Sequence, residues 1–237
     1  MIEELLARLV EKVEGRFFGK YRAMVVDNAD PENRGRLKLS VPSVLGNDVV
    51  SAWALPCTPY GGAADQGFFF IPEVDAAVWV EFEAGLLDYP IWVGTFWAKP
   101  GGASEVPKPG DSQSPPTRKI IRTLKGNSIE MEDKDSEEVF IITYNDGSKT
   151  NVVTMDKDGI AIVDANQNKV TLDSNGVVIE DKSQNKLEMT AASINILPAV
   201  QIKLGSSAAI PVNNLPACLF SGAPHAAPAT GHATVLK

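Results

Sequence analysis

The sequence has very few of the residues that form disulfides, metal sites or catalytic centres. In 237 residues there are two cysteines, Cys57 and Cys218, and two histidines, His225 and His232. The cysteines lie in different regions, so a structural disulfide is not expected and assembly in a reducing compartment is favoured. No GxSxG motif, phosphate-binding loop or His beside a Ser or Cys in a recognisable motif is present. The sequence therefore predicts a protein that is not an enzyme.

The sequence also has no excess of positive charge and no long apolar run. The formal net charge is −8 at pH 7, which repels nucleic acid and anionic lipid surfaces. No stretch approaches the roughly 18 apolar residues of a membrane-spanning helix. The start, MIEELLARLV, is acidic and has no basic region before an apolar segment, so no signal peptide is predicted.

Aromatic residues are scarce in the second part of the chain. All of them lie between Phe17 and Trp97 except Phe140, Tyr144 and Phe220. This distribution predicts an aromatic core in the first part and a thin, aliphatic β-structure in the second. The length is that of two small domains, or of one domain with an extension.

The second part contains a repeat. Its copies begin at Asn151, Asn168 and Asn185, a constant spacing of 17 residues, and such a period dictates architecture. The first two copies share the pairs Asn151/Asn168, Val153/Val170, Thr154/Thr171, Asp156/Asp173, Gly159/Gly176, Ile162/Ile179, Asp164/Asp181 and Gln167/Gln184.

Apolar residues alternate within each copy, which is the pattern of a strand with one buried face. They are Val153, Met155, Ile160 and Ile162, then Val170, Leu172, Val177 and Ile179, then Leu187, Met189, Ile194 and Ile196. The repeat turns Asp156–Gly159 and Asp173–Gly176 separate paired strands, because Asp caps its own turn and Gly tolerates positive φ. Their spacing does not fit an EF-hand calcium loop.

About four inward apolar side chains per copy are too few to close a core within one chain. The sequence therefore predicts a β-rod that is intertwined or stacked with other copies of itself around a three-fold axis. Further strands are predicted around Ile129–Met131 and Val139–Thr143, with a hairpin turn at Asn145-Asp146-Gly147.

The first part begins with helical spacing of apolar residues over Ile2–Val13. This helix either docks on a partner or on its own copies, or packs on the domain that follows. Short strands are then predicted in YRAMVVDNAD, NRGRLKLSVP and WALPCTPY, a fourth and fifth in FFFIPEVDAAVWVEFE, and a closing one in YPIWVGTFW. Such strands suggest a small closed barrel.

Three groups of residues in this region form a recognisable set. They are Asp27, Asp30, Pro31, Gly35, Arg36 and Lys38 in D-x-x-D-P-x-x-x-G-R-x-K; Gly67, Phe68, Phe70, Pro72, Glu73 and Val74 in G-F-x-F-x-P-E-V; and Pro90, Val93 and Gly94 in P-x-x-V-G. Over residues 19–97 the chain resembles the oligonucleotide/oligosaccharide-binding (OB) fold domain of contractile-tail spike proteins. These include the phage baseplate assembly protein V family, the valine-glycine repeat proteins of type VI secretion and the spikes of extracellular injection systems.

The resemblance implies a homotrimeric central spike that is driven through the target envelope when a sheath contracts. It implies as partners a separate baseplate hub protein, a PAAR-like tip protein and effector cargo, with transient contact at the target membrane and none with nucleic acid. The particle would assemble in the bacterial cytoplasm and be phage-like, extracellular or cell-anchored. Some relatives carry a lysozyme domain after the barrel, but the connector here is too short for one.

The expected fold is all-β: an N-terminal OB-fold barrel followed by a trimeric β-helix or β-prism, with a short N-terminal α-helix. The expected order is a helix at 1–16, the barrel at 17–97, a Pro/Gly-rich connector at 98–119, the shaft at 120–204 and a tapering tip at 205–237.

The tip carries the one constellation of metal-type ligands, His225 and His232 with Cys218. One His per chain on a three-fold axis would supply three ligands to Zn or Fe. Some related spikes hold iron through two His one residue apart, a pattern absent here, and the alternative is a tail with two unremarkable histidines. No other cofactor is expected.

A different function is a carbohydrate- or nucleic-acid-binding OB module on a fibrous stalk. Binding single strands needs a basic groove with exposed stacking aromatics, whereas the Trp and Phe residues here stand in apolar strands beside acidic residues. The sequence therefore favours the spike.

Overall fold

The computed structural model describes residues 2–4, 6, 10, 14–108 and 113–199. The chain divides into two units, Met1–Val106 and Pro107–Lys237. Regular structure is mostly strand, which confirms the all-β prediction, and the described residues of the predicted N-terminal helix, Ile2–Glu4, Leu6 and Val10, are helical. No described helix is long and apolar enough to cross a membrane.

Five strands build the first unit. They are β1 (Tyr21–Asp27), β2 (Lys38–Ser40), β3 (Leu55–Pro56), β4 (Ala77–Phe82) and β5 (Pro90–Thr95), in the sheet order β2-β1-β4-β5-β3. Bridges between Leu37 and Ala54 and between Ser40 and Val50 bring the two ends of this sheet together. The result is the predicted small barrel. A short helix that the sequence patterns missed, α1 (Pro42–Leu45), follows β2 and has Pro at its first turn.

The core of the first unit lies inside this barrel. Alternate residues of β4 point inward, so that Val78 and Val80 are fully buried. The buried set is more aliphatic than the aromatic content predicts, and comprises Ala23, Val25, Leu37, Leu39, Val41, Ala54, Val78, Val80, Phe82 and Trp92.

The prediction of a strand at the start of FFFIPEVD is wrong. Residues 68–76 form no strand, and only the later part of that stretch pairs, as β4. Phe68, Phe69 and Phe70 are more than half exposed, and the amide of Phe68 bonds to the carbonyl of Tyr60 within the loop. Gly67 has a φ of +141°, which turns the chain out of the extended conformation before it can join the sheet.

In the described part of the second unit, nine strands form one antiparallel sheet in chain order. Their bounds are β6 (Arg118–Arg122), β7 (Ser128–Glu132), β8 (Val139–Asn145), β9 (Thr150–Asp156), β10 (Gly159–Val163), β11 (Lys169–Asp173), β12 (Gly176–Glu180), β13 (Lys186–Thr190) and β14 (Ile194–Leu197). Each copy of the repeat is two strands, as predicted, whereas β6 was not predicted and begins inside the expected connector. Within one chain the described strands make a single-layer meander and do not wind into a β-helix.

Candidate functional site: an apolar sheet face

The register of the second sheet places apolar residues in two unbroken rows. Residues that pair across antiparallel strands project from the same face. One row is Lys119, Met131, Phe140, Met155, Ile160, Leu172, Val177, Met189 and Ile194; the other is Ile121, Ile129, Ile142, Val153, Ile162, Val170, Ile179, Leu187 and Ile196. We call these 18 residues the apolar face. It contains all twelve apolar residues that the sequence predicts to share a face, and Lys119 is its only polar member.

None of the described residues packs on this face. No apolar side chain is buried among the described residues of the second unit, in contrast to the first. Ile162, Ile179 and Ile196 in one row are 45%, 44% and 60% exposed. Soluble monomers rarely expose contiguous apolar patches of more than a few hundred Å², so a surface that runs across nine strands marks an interface.

The opposite face of the same sheet has a different composition. Its central row is Ile120, Glu130, Ile141, Thr154, Ala161, Thr171, Val178, Glu188 and Asn195. Polar, charged and small residues alternate there with β-branched ones, and Lys186 pairs with Glu188 at 2.8 Å. Such a mixture is typical of a solvent-facing β-surface.

The repeat turns occupy one edge of the sheet. The Asp156 carboxylate accepts bonds from the amides of Asp158 and Gly159, and Asp173 does the same for Asn175 and Gly176. Gly159 and Gly176 have φ of +141° and +135°. A Cβ at either position would overlap the carbonyl oxygen of the next strand, that of Leu172 or Met189. The two aspartates and the two glycines of these turns therefore have structural roles within the chain.

A second set of turns, which sequence reasoning left without a role, repeats at the other edge. Asp164 Oδ1 accepts from the amides of Asn166 and Asn168 at 2.8 Å each, and Asp181 does the same one repeat later. In both copies the backbone amide and side-chain amide of the following asparagine, Asn168 or Asn185, lower the pKa of the carboxyl group.

The first asparagine of each copy ties one turn to the next. The side-chain oxygens of Asn151, Asn168 and Asn185 accept from the backbone amides of Ala165, Lys182 and Ala199. The signal was present in the sequence as the identity of Asn151 and Asn168, but its meaning required the fold. These bonds join residues 14 apart and fix the spacing of successive hairpins.

A polar cluster that the sequence did not reveal lies where the sheet begins. Arg118 pairs with Glu130 at 3.3 Å and with Glu132 at 3.1 Å, and the amide of Gln113 donates to Glu132 at 2.5 Å. Hydrogen bonds from Thr117 first, then from Gln113 and Arg118, lower the pKa of Glu132 to about 2. Both glutamates are buried, so the cluster pins β6 to β7.

In the first unit, Asp30 organises the loop that carries the first sequence motif. Its oxygens accept from the amides of Glu32, Arg34 and Arg36 and from the Arg36 guanidinium, with the closest pair at 2.6 Å. The Arg36 side chain, followed by these amides, holds the pKa of Asp30 far below its usual range. This buried carboxylate is committed to structure and is not free for chemistry.

The other motif residues surround that loop. Asp27 accepts from the amide of Ala29, and the Asn28 side chain donates to the carbonyl of Pro72. The Trp92 indole donates to the carbonyl of Gly35 at 3.0 Å. The remaining predicted motif positions, Pro31, Gly67, Phe68, Glu73 and Gly94, lie in the loops and strands of the same unit: Pro31 follows Asp30, Gly94 is in β5, and the rest are in the loop before β4.

Two aromatic side chains that could stack bases are covered by cations of the same chain. The Arg22 guanidinium lies 5.7 Å from the Trp79 ring centre, and Arg36 and Lys38 lie 5.6 and 5.1 Å from that of Trp53. These cation–π contacts leave the Trp79 and Trp53 rings less available for stacking on the bases of a single strand.

No group of three or more metal-type side chains occurs in the part of the chain that the structure describes. The proposed tip ligands His225 and His232, together with Cys218, lie outside the described residues.

Comparison with known families identifies the first unit. Residues 21–97 match the family of the type VI secretion system/phage-baseplate injector OB domain, a range that begins at the first residue of β1 and ends two residues after β5. No curated protein matches the chain. The barrel, its Asp30-centred loop and this match agree, and residues 21–97 are an OB domain of the kind found in the injectors of type VI secretion systems and phage baseplates.

Proposed function

We propose that the chain is the homotrimeric central spike of a phage-tail-like contractile injection apparatus. The observation that carries the proposal is the apolar face, two rows of apolar side chains that none of the described residues covers. The OB-domain match supports a baseplate position for the first unit. Copies that turn their apolar faces toward a common axis would bury them, as a core does in a single domain.

Three copies make a prism whose inner walls are the three apolar faces. Each level of the stack then contributes two inward side chains per copy, which suits a narrow solid shaft. Two copies could cover each other as a sandwich; the number three comes from the resemblance to trimeric spikes.

The proposed role is mechanical. Backbone hydrogen bonds link all nine strands in one ladder, and the side-chain bonds at both edges reinforce the hairpins. Local opening of such an array must break many bonds together. The barrels would sit on a separate hub protein, the shaft would carry a PAAR-like tip and cargo, and sheath contraction would drive it through the target envelope. No catalytic step is needed.

The first test is the molar mass of the purified chain in solution, measured by light scattering at micromolar concentration. Three chains of 25.4 kDa each are expected. A stable monomer would contradict the proposal, since the apolar face would then be permanently exposed. Saturable binding of single-stranded DNA or an oligosaccharide would instead favour the alternative OB-module function.

A further inference from the structure

We propose that an acidic turn of one copy lies between two lysine-bearing turns of its neighbour, and that this contact sets the register of the copies along the shaft. The inference rests on the proposed assembly and names the residues at its corners. The acidic turn comprises Asp133–Glu138, between β7 and β8. The lysine-bearing turns comprise Arg122–Asn127, between β6 and β7, and Asn145–Lys149, between β8 and β9, in which Asp146 balances the charge of Lys149.

The two kinds of turn lie at opposite edges of the same sheet. Strand β7 starts at Ser128, beside the Arg122–Asn127 turn, and ends at Glu132, beside the Asp133–Glu138 turn. Five residues of extended chain span about 17 Å. The two edges are therefore too far apart to neutralise each other within one chain.

Both edges carry charges without partners. In the acidic turn, Asp133 pairs with Lys119 and Glu137 with Lys134, but the exposed carboxylates of Asp135 and Glu138 have no ion pair or hydrogen bond among the described residues.

At the other edge, three cations are in no ion pair among the described residues. Lys125 and Lys149 are exposed. Arg122 donates only to the carbonyl of Lys108, at 3.4 Å. At this end of the sheet one edge therefore has a net negative charge, and the other has a net positive charge that comes from Arg122 and Lys125.

Rotational symmetry brings these edges together. In the proposed assembly, every copy turns its apolar face toward an axis that is perpendicular to the strands. One edge of each sheet then meets the opposite edge of the neighbouring sheet at the same height along the axis. This is a heterologous contact, because two different surfaces meet. The acidic turn is one strand spacing, about 4.8 Å, above the level of the Lys125 turn and one below that of Lys149. Both lysines of a neighbour would flank it.

The apolar face cannot set this register by itself. Its rows repeat with the 17-residue period, so a shift of one copy by two strands, about 9.6 Å, places apolar residues on apolar residues again. The Asp156–Gly159 turn, two strands further along the same edge, repeats the Asp-Lys-Asp of the acidic turn but lacks Glu137 and Glu138. A slip by two strands therefore brings a less acidic turn beside the neighbour's lysines, and the stronger attraction of opposite charges favours the correct alignment over the shifted one.

Cysteine cross-linking tests this contact directly. In a chain with Cys57 and Cys218 replaced by serine, Leu124→Cys combined with Ser136→Cys should give covalent dimers and trimers on mild oxidation, because both residues are exposed and uncharged and lie in the two facing turns. In the matched control, Leu124→Cys is combined with Asn175→Cys, which lies at the same edge as Ser136 but two turns further along, and no cross-link should form. Light scattering on both variants establishes that they assemble.

The outcomes distinguish a failure of the register contact from a failure of the proposed spike assembly. An oligomer that cross-links through position 175, or that fails to cross-link through position 136, overturns the register contact and leaves the spike assembly standing. A monomer in both variants and in the unmodified chain overturns the assembly and the contact with it.

A charge swap gives a second, independent test. Lys125→Glu should accelerate subunit exchange by up to about fivefold per contact, the upper limit for an exposed ion pair, and adding Glu138→Lys should reverse the change. Lys99→Glu, the same charge change in the first unit, should have little effect. Equal effects of Lys125→Glu and Lys99→Glu, or no recovery in the swapped chain, would contradict the proposal.

Discussion

At the residue scale, carboxylates hold the loops of both units in place. Asp30 ties the motif loop to the barrel through Arg36, Glu132 ties β6 to β7 through Arg118, and Asp164 and Asp181 close turns through backbone amides. Each acceptor satisfies amides that would otherwise lose hydrogen bonds on folding. The acidic composition thus has a structural use beyond its contribution to net charge.

Replacing Asp30 by Asn should destabilise the first unit. The substitution keeps the size of the side chain but leaves the mostly buried Arg36 guanidinium without its closest counter-ion, and a buried charge without a partner is unfavourable. The thermal midpoint of the chain, followed by near-ultraviolet circular dichroism, should fall clearly. Glu32→Gln, at an exposed carboxylate of the same loop, should change the thermal midpoint little. Equal effects of the two substitutions would show that the Asp30–Arg36 ion pair contributes no more to stability than the exposed carboxylate does.

Acid should destabilise the second unit between about pH 4.5 and pH 2. The pKa of Glu132 is lowered from 4.5 to about 2, and the amides of Ser148 and Lys149 lower that of Asp146 from 3.8 to about 2. Because the unfolded chain binds these protons first, the stabilisation is complete above the unfolded pKa values and is lost as pH falls through the folded ones. Denaturant unfolding at a series of pH values should show this slope, and Glu132→Gln should flatten it. An unchanged slope in that variant would refute the assignment.

At the element scale, the repeat works because each hairpin has the same two corners. The Asp-x-x-Gly corner needs a glycine because its φ is positive and the next strand's carbonyl lies against it. The other corner uses Asp164 or Asp181, and the asparagine bonds fix the distance between hairpins. The strands themselves need only alternate in polarity.

Gly176→Ala should therefore lower the free energy of unfolding by more than the replacement of a glycine that has positive φ but no close neighbour. Positive φ alone costs a non-glycine residue about 1–3 kcal/mol, and here a Cβ would also overlap the Met189 carbonyl. Gly147→Ala is the matched control, since its φ is +92° but no atom lies within 4 Å of the added Cβ. The free energy of unfolding from urea titration should fall further for Gly176→Ala. Equal losses would mean that the close approach is unimportant.

At the scale of the whole molecule, the two units differ in where their apolar residues go. The barrel buries its own core, whereas the second sheet leaves its apolar face open. A sheet of this kind is stable only with a cover, and the proposed function supplies it from identical copies.

Ile162→Lys should disrupt the assembly. The residue is central in one row of the apolar face, and burying an isoleucine side chain contributes about 1.5–3 kcal/mol per copy, to which the cost of burying an ammonium group is added. Sedimentation velocity should show dissociation or aggregation. Ala161→Lys, the preceding residue on the opposite face, should sediment like the unmodified chain. If both variants behave alike, the interface is not on this face.

The sequence by itself determined the all-β class, the hairpin in each repeat copy and the twelve residues that the repeat contributes to the apolar face, because alternation and turn residues are local signals. It also carried enough of the motif around Asp30 to indicate the barrel. It misplaced a strand in the stretch that begins at Phe68, since three consecutive phenylalanines favour a strand locally, whereas the chain forms a loop there.

Only the tertiary structure decided which strands pair, that the second unit is a one-layer meander, and which charges remain without partners at its two edges. These properties depend on residues far apart in sequence. Arg118 pairs with Glu132, Asn151 accepts from the amide of Ala165, and the turns before the repeat lie at opposite edges of the sheet. No local pattern encodes such contacts, because they exist only once the hydrogen-bond register has been set.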